Sequence, residues 1–167
     1  MNIKDLGLKV QRIVHQEEES YNRFMEAAKS HSINQKRGDV VLYIEDDPDQ
    51  VSMFKTMLAC YSTLRLLTAF TAESGRELIK RKSHRVKCIV MDMDLESASV
   101  FGGIAAGKQL LEWVSTEYPE IPVVIFTGHS ELVAELNEAY PTIEVIVKAS
   151  DMQNLVHLIE SKMRGVA

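Results

Sequence analysis

Five short apolar runs, separated by stretches of helical periodicity, limit what this chain can fold into. They occupy residues 40–44, 64–70, 87–91, 121–126 and 143–147. Runs this short, apolar at consecutive positions, are expected of strands covered on both faces. Strands alternating with helices imply a parallel sheet with right-handed crossovers and helices on both sides. Between the first two runs, Asp47 is placed to cap a helix whose first residue is Pro48, with Val51, Phe54, Leu58 and Tyr61 as its apolar face. Thr71 can cap the next helix, where Leu78 and Ile79 point inward and Lys80, Arg81 and Lys82 complement the dipole at the far end. A third helix is predicted over 105–117, with Trp113 packing near Leu110 and Val114. Ser130 is expected to open a fourth helix reaching residue 139. Ser150 with Gln153 forms a capping-box pattern for a last one bearing Leu155, Val156, Leu158 and Ile159.

The strands end in chemistry. Glu45 and Asp46 follow the first run, Asp92 closes the third, Thr127 the fourth and Lys148 the fifth. In a doubly wound sheet these C-terminal ends share one edge, where ligands bind, so residues distant in sequence can converge there. Three carboxylates brought together repel unless compensated. A divalent cation shared by Glu45, Asp46 and Asp92 would compensate them, and hard oxygen ligands of this kind suit Mg2+. Lys148 can pair with Asp92 from the other side. Such a site suits phosphoryl transfer onto a carboxylate, with Asp92 as the nucleophile that becomes an acyl phosphate. Mg2+, Lys148 and the Thr127 hydroxyl would then bind the phosphoryl oxygens, where charge must be stabilised.

Residues 1–38 read differently. Ile3, Leu6, Val10, Ile13, Tyr21, Phe24 and Ala28 share one stripe of a helical wheel, with Glu17 inside it. An N-terminal helical extension is therefore expected, packing on its own domain, on a second copy or on another protein. Residues 31–38 read as a polar linker, leaving 39–167 as the main domain. No apolar run approaches the roughly 20 residues of a membrane span. The start has no pattern of an export signal, and Cys60 and Cys88, the only two cysteines, fall in apolar segments as buried free thiols would. A formal charge of −5 argues against nucleic acid or an anionic membrane as partner. A cytoplasmic protein is the expectation.

On these residues the chain resembles the receiver domain of bacterial two-component response regulators. The resemblance covers residues 39–164 and rests on Val41-Leu42-Tyr43-Ile44-Glu45-Asp46-Asp47-Pro48, Ile89-Val90-Met91-Asp92, Val123-Val124-Ile125-Phe126-Thr127-Gly128 and Val145-Ile146-Val147-Lys148. It implies a flavodoxin-like fold with strand order 2-1-3-4-5. It also implies that Glu45 and Asp46 hold Mg2+ with Asp92, that the Asp94 backbone carbonyl completes the protein's share of the metal shell, and that Asp92 takes phosphate from a histidine kinase or a histidine phosphotransfer protein. Thr127 would be the switch hydroxyl and Lys148 the lysine that contacts the phosphate. The outcome would be altered binding of a downstream protein, by a stand-alone receiver able to pair with a second copy through the N-terminal helix or the last two helices. The chain departs from the family pattern at Glu96 and Ala149, where proline is usual, and at Val145, where an aromatic residue is common.

Two other readings use the same residues. Asp92-Met93-Asp94 also fits a haloacid dehalogenase-like phosphatase, with Asp92 as nucleophile and Asp94 as general acid. In that class, however, the acidic pair comes after the nucleophile rather than before it. A receiver fold retained only as a phosphorylation-independent binding scaffold is the other.

Overall fold

The structure, a computed structural model, describes residues 40–95, 103–148 and 152–163. The expected N-terminal helix, Glu96, Ala149 and the Ser150 cap lie outside the described residues. A five-stranded sheet runs β1 (Val40–Ile44), β2 (Arg65–Ala69), β3 (Val86–Met91), β4 (Val123–Thr127) and β5 (Glu144–Val147). All neighbours are parallel, in spatial order β2-β1-β3-β4-β5. This is the doubly wound order expected of a flavodoxin-like fold.

Alternation along β1 sorts the core into two. Leu42 and Ile44 face one side with Ile89, Met91 and Ile125, and are covered by Ile79 of α2 (Ala72–Lys82), Leu110, Leu111 and Val114 of α3 (Ile104–Glu117) and Leu136 of α4 (Val133–Ala139). Val41 and Tyr43 face the other side with Cys88, Val90, Val124 and Phe126. There they meet Phe54 and Leu58 of α1 (Pro48–Tyr61) and Leu155, Val156 and Ile159 of α5 (Met152–Met163). Each large side chain so buried contributes roughly 1.5–3 kcal/mol, and β1, buried along its whole length, carries both cores.

The caps explain where the helices start. The Asp47 side chain accepts from the Asp49 and Gln50 N–H groups, and Pro48 is the first helical residue. Thr71 and Ser74 form a reciprocal capping box at α2. Two expectations are corrected. Ser130 does not cap a helix with its side chain: 130–132 is a 3-10 turn, and α4 begins only at Val133. Tyr61, at the end of α1, is exposed and meets His157 rather than the core. Strand β4 starts after Pro122, which has no N–H for the ladder, although its carbonyl accepts from Ile89 at 3.0 Å. Trp113 packs as expected, edge-on to Tyr118 at 5.3 Å, with the Arg76 guanidinium 4.8 Å over its ring. Among the described residues no helix is long and apolar enough to cross a membrane.

Candidate functional site

Backbone pairing sets the polar strand ends in rank. The Glu45 N–H donates to Ala69 O at 3.0 Å, the Asp92 N–H to Ile44 O at 2.9 Å and the Lys148 N–H to Thr127 O at 2.8 Å. One edge of the sheet therefore carries Glu45 and Asp46 after β1, Asp92 after β3, Thr127 at the end of β4 and Lys148 after β5.

Their side chains converge in part. Lys148 Nζ lies 2.7 Å from Asp92 Oδ2, and 2.9 and 2.8 Å from Glu45 Oε1 and Oε2. The pairing is largely out of water: side-chain exposure is 1% for Glu45, 6% for Asp92 and 18% for Lys148. Carboxylate oxygens of Glu45, Asp46 and Asp92 all lie within 4.8 Å of one another. Three negative groups against one ammonium leave an excess of negative charge, which a hard divalent cation would neutralise. The donor set, all oxygen, fits Mg2+. Asp92 Oδ1 also accepts the Met93 N–H at 2.6 Å.

Burial pushes the Glu45 carboxyl above its ordinary value, and the bonds from Lys148 and Tyr43 only partly oppose this. For Lys148 burial works downward, but the bonds to Asp92 and Glu45 outweigh it and the ammonium is held above its ordinary value. Lys148 is therefore charged at neutral pH.

Thr127 and Asp94 are placed differently. Thr127 is fully buried, and its hydroxyl accepts the His129 N–H at 3.2 Å. The Asp94 side chain is exposed and turns to His129, with Oδ2 3.3 Å from Nε2, while His129 Nδ1 meets Glu131 Oε1 at 2.7 Å. His129 thus bridges two carboxylates at the rim, and Glu131 first, then Asp94, hold its proton above the ordinary imidazole value. Behind the site, α3 comes unusually close to the loop after β3. A Cβ on Gly107 would lie 2.2 Å from the Met93 carbonyl oxygen, so only glycine lets the helix approach there.

Sequence reasoning missed one polar participant. The Tyr43 hydroxyl, fully buried, donates to Glu45 Oε2 at 2.8 Å. A signal existed, since residues two apart on a strand share a face. Tyr43 reads as just another apolar strand residue unless that rule is applied.

Comparison with known proteins gives the family of this fold. The response regulator receiver domain family matches residues 41–160, and the chain belongs to that family. Similar folds include a response regulator receiver domain protein from Clostridium thermocellum, 20% identical, with a TM-score of 0.63 over 75% of this chain and 94% of that one. A CheY-like receiver domain protein from Methanospirillum hungatei JF-1 is also 20% identical, with a TM-score of 0.62 over 76% of this chain and 94% of that one. The phosphorylated cyanobacterial phytochrome response regulator RcpA is 14% identical, with a TM-score of 0.59 over 78% of this chain and 96% of that one. No curated protein sequence matches the chain. Phosphorylation on an aspartate, Mg2+ binding and exchange with histidine kinases or phosphotransfer proteins are typical of the family, which serves signalling. The phosphatase and scaffold readings are not favoured.

Proposed function

We propose that Asp92 is the phosphoacceptor, taking a phosphoryl group from a phosphohistidine on a histidine kinase or histidine phosphotransfer protein. The observation that carries this reading is the Lys148 ammonium 2.7 Å from a buried Asp92, within a group of three carboxylates. Asp92 Oδ1 is held by the Met93 N–H, leaving Oδ2, which faces Lys148, to attack phosphorus. The new O–P bond forms as the N–P bond to the donor imidazole breaks, and the imidazole leaves with the bonding pair and takes a proton. Lys148, already seated at Oδ2, lies where charge develops on the phosphoryl group and needs no reorganisation to stabilise it.

Mg2+ would be held by Glu45, Asp46, Asp92 and the Asp94 backbone carbonyl. Bound there, it would supply electrostatic stabilisation of the phosphoryl oxygens. Thr127, released from His129, would turn its hydroxyl to the phosphoryl group. That movement favours a second arrangement of α4, β5 and α5 and so changes affinity for a downstream protein. The protein then acts as a switch in the cytoplasm rather than as a turnover enzyme, with neither nucleic acid nor membrane as its target. A homodimer, through residues 1–38 or through the last two helices, would accord with this role.

Incubation with acetyl phosphate and Mg2+, followed by intact-mass measurement, tests the reading. Wild type should gain one phosphoryl group and Asp92→Ala none. Absence of any gain in wild type would leave the scaffold, and steady turnover of p-nitrophenyl phosphate would favour the phosphatase.

A further inference from the structure

Glu45 has to be held as well as placed. Lys148 Nζ straddles its two oxygens, and the Asp47 N–H reaches Oε1 at 3.4 Å. The terminal torsion of a glutamate is broad, so these contacts alone leave the carboxylate free to rock, and the ammonium with it. The Tyr43 hydroxyl removes that freedom from below. It bonds Oε2 at 2.8 Å, and its ring is fixed from the side by Phe54 of α1, with centroids 4.5 Å apart and planes inclined at 50°. The hydroxyl is the donor in this bond, since a carboxylate oxygen only accepts.

We infer that Tyr43 is a positioning residue for phosphoryl transfer: through Glu45 it holds the Lys148 ammonium at Asp92 Oδ2. The chain of contacts is continuous, from Tyr43 to Glu45 at 2.8 Å, Glu45 to Lys148 at 2.8 Å and Lys148 to Asp92 at 2.7 Å. An ammonium already fixed where phosphoryl charge develops lowers the barrier; one that wanders does not. The inference rests on Asp92 being the acceptor. The hydroxyl itself touches neither phosphate nor metal, so its loss should leave phosphodonor binding alone and slow the step that follows.

The test uses the full chain and acetyl phosphate with saturating Mg2+. Tyr43→Phe should lower the maximal rate of Asp92 phosphorylation on the order of tenfold, the scale of one charge-assisted hydrogen bond. The half-saturating acetyl phosphate concentration should stay within about twofold of wild type, since the lost bond acts after donor binding. By nitrogen-detected NMR the Lys148 ammonium, slowly exchanging in wild type, should exchange rapidly in Tyr43→Phe, a change that general loosening of a core tyrosine would not single out. An unchanged maximal rate, a rise in half-saturation instead, or an unchanged ammonium signal overturns the inference. Should Tyr43→Phe not fold, the wild-type protein decides: a protected, downfield Tyr43 hydroxyl proton with contacts to Glu45 is required, and its absence refutes the bond. A wild-type chain that takes up no phosphate sinks the acceptor reading itself. One that does, alongside an equally fast Tyr43→Phe, sinks only the role of Tyr43.

Discussion

Replacing Lys148 with methionine removes one ammonium and leaves two buried carboxylates facing each other. Methionine keeps most of the apolar stem, so the loss is electrostatic rather than a cavity. Breaking a fully buried ion pair by deleting one partner costs about 3–5 kcal/mol. Lys148 retains 18% side-chain exposure, against 1% for Glu45 and 6% for Asp92, which places the expected loss at the lower end, about 3 kcal/mol. With a urea dependence of about 1.5–2 kcal/mol per molar for a domain of this size, the unfolding midpoint should fall by roughly 1.5–2 M. Its pH dependence has a defined sign. Burial already holds the Glu45 carboxyl above its ordinary value, and Lys148 supplies the largest opposing influence. Without Lys148 that carboxyl moves further up, so the folded state binds its proton more tightly than the unfolded chain does. The favourable contribution of protonation is complete below the unfolded value and is lost as pH rises through the raised folded one. The Lys148→Met deficit should therefore be largest at neutral and alkaline pH and shrink toward about pH 4. Added Mg2+ should recover part of it at neutral pH. Urea titrations followed by circular dichroism, with and without Mg2+, check all three statements. A loss below about 1 kcal/mol, the value of an exposed pair, or a deficit that grows on acidification, would refute the view that this ammonium neutralises a desolvated carboxylate pair.

Gly107→Ala should destabilise the domain by about 1–3 kcal/mol, the range for forcing atoms into a packed site. The atom struck is the Met93 backbone oxygen, which cannot rotate away; a thermal midpoint equal to wild type would refute the close approach of α3. The His129 imidazole should titrate above its ordinary 6.5, its charged bridge to Glu131 and Asp94 complete below that value and lost as pH rises through the raised one. NMR titration of the ring checks this, Asp94→Asn should lower the midpoint, and a wild-type midpoint at or below 6.5 would show that the rim bridge does not form in solution.

The sheet was legible because a buried parallel strand leaves a compact apolar run, and four of the five ended in a residue that seldom belongs in a core. Glu45, Asp46, Asp92, Thr127 and Lys148 could be read as neighbours because the topology of a doubly wound sheet, not their spacing, puts them on one edge. Asp47 and Thr71 were readable as caps because local hydrogen bonds follow local sequence. What escaped depends on distance. Nothing near Ser130 announces that the chain will turn first through 130–132 and only then enter α4, since the choice is made where Leu132 and Leu136 find the core. The partners of His129 come from both sides of the site, and Asp94 lies 35 residues away in sequence. Tyr43 was visible as a strand residue, yet its bond to Glu45 needs the ring held by a helix packed across that face.

The stems that follow β3 and precede α3 are tied to each other. Leu95 and Gly103 form an antiparallel bridge, with the Gly103 N–H 2.8 Å from Leu95 O, and Gly103 takes a φ of 71° that other residues rarely adopt. Backbone contacts therefore fix both flanks of this junction, so the seating of Gly107 against the Met93 carbonyl is set by main-chain atoms and not by the choice of any side chain.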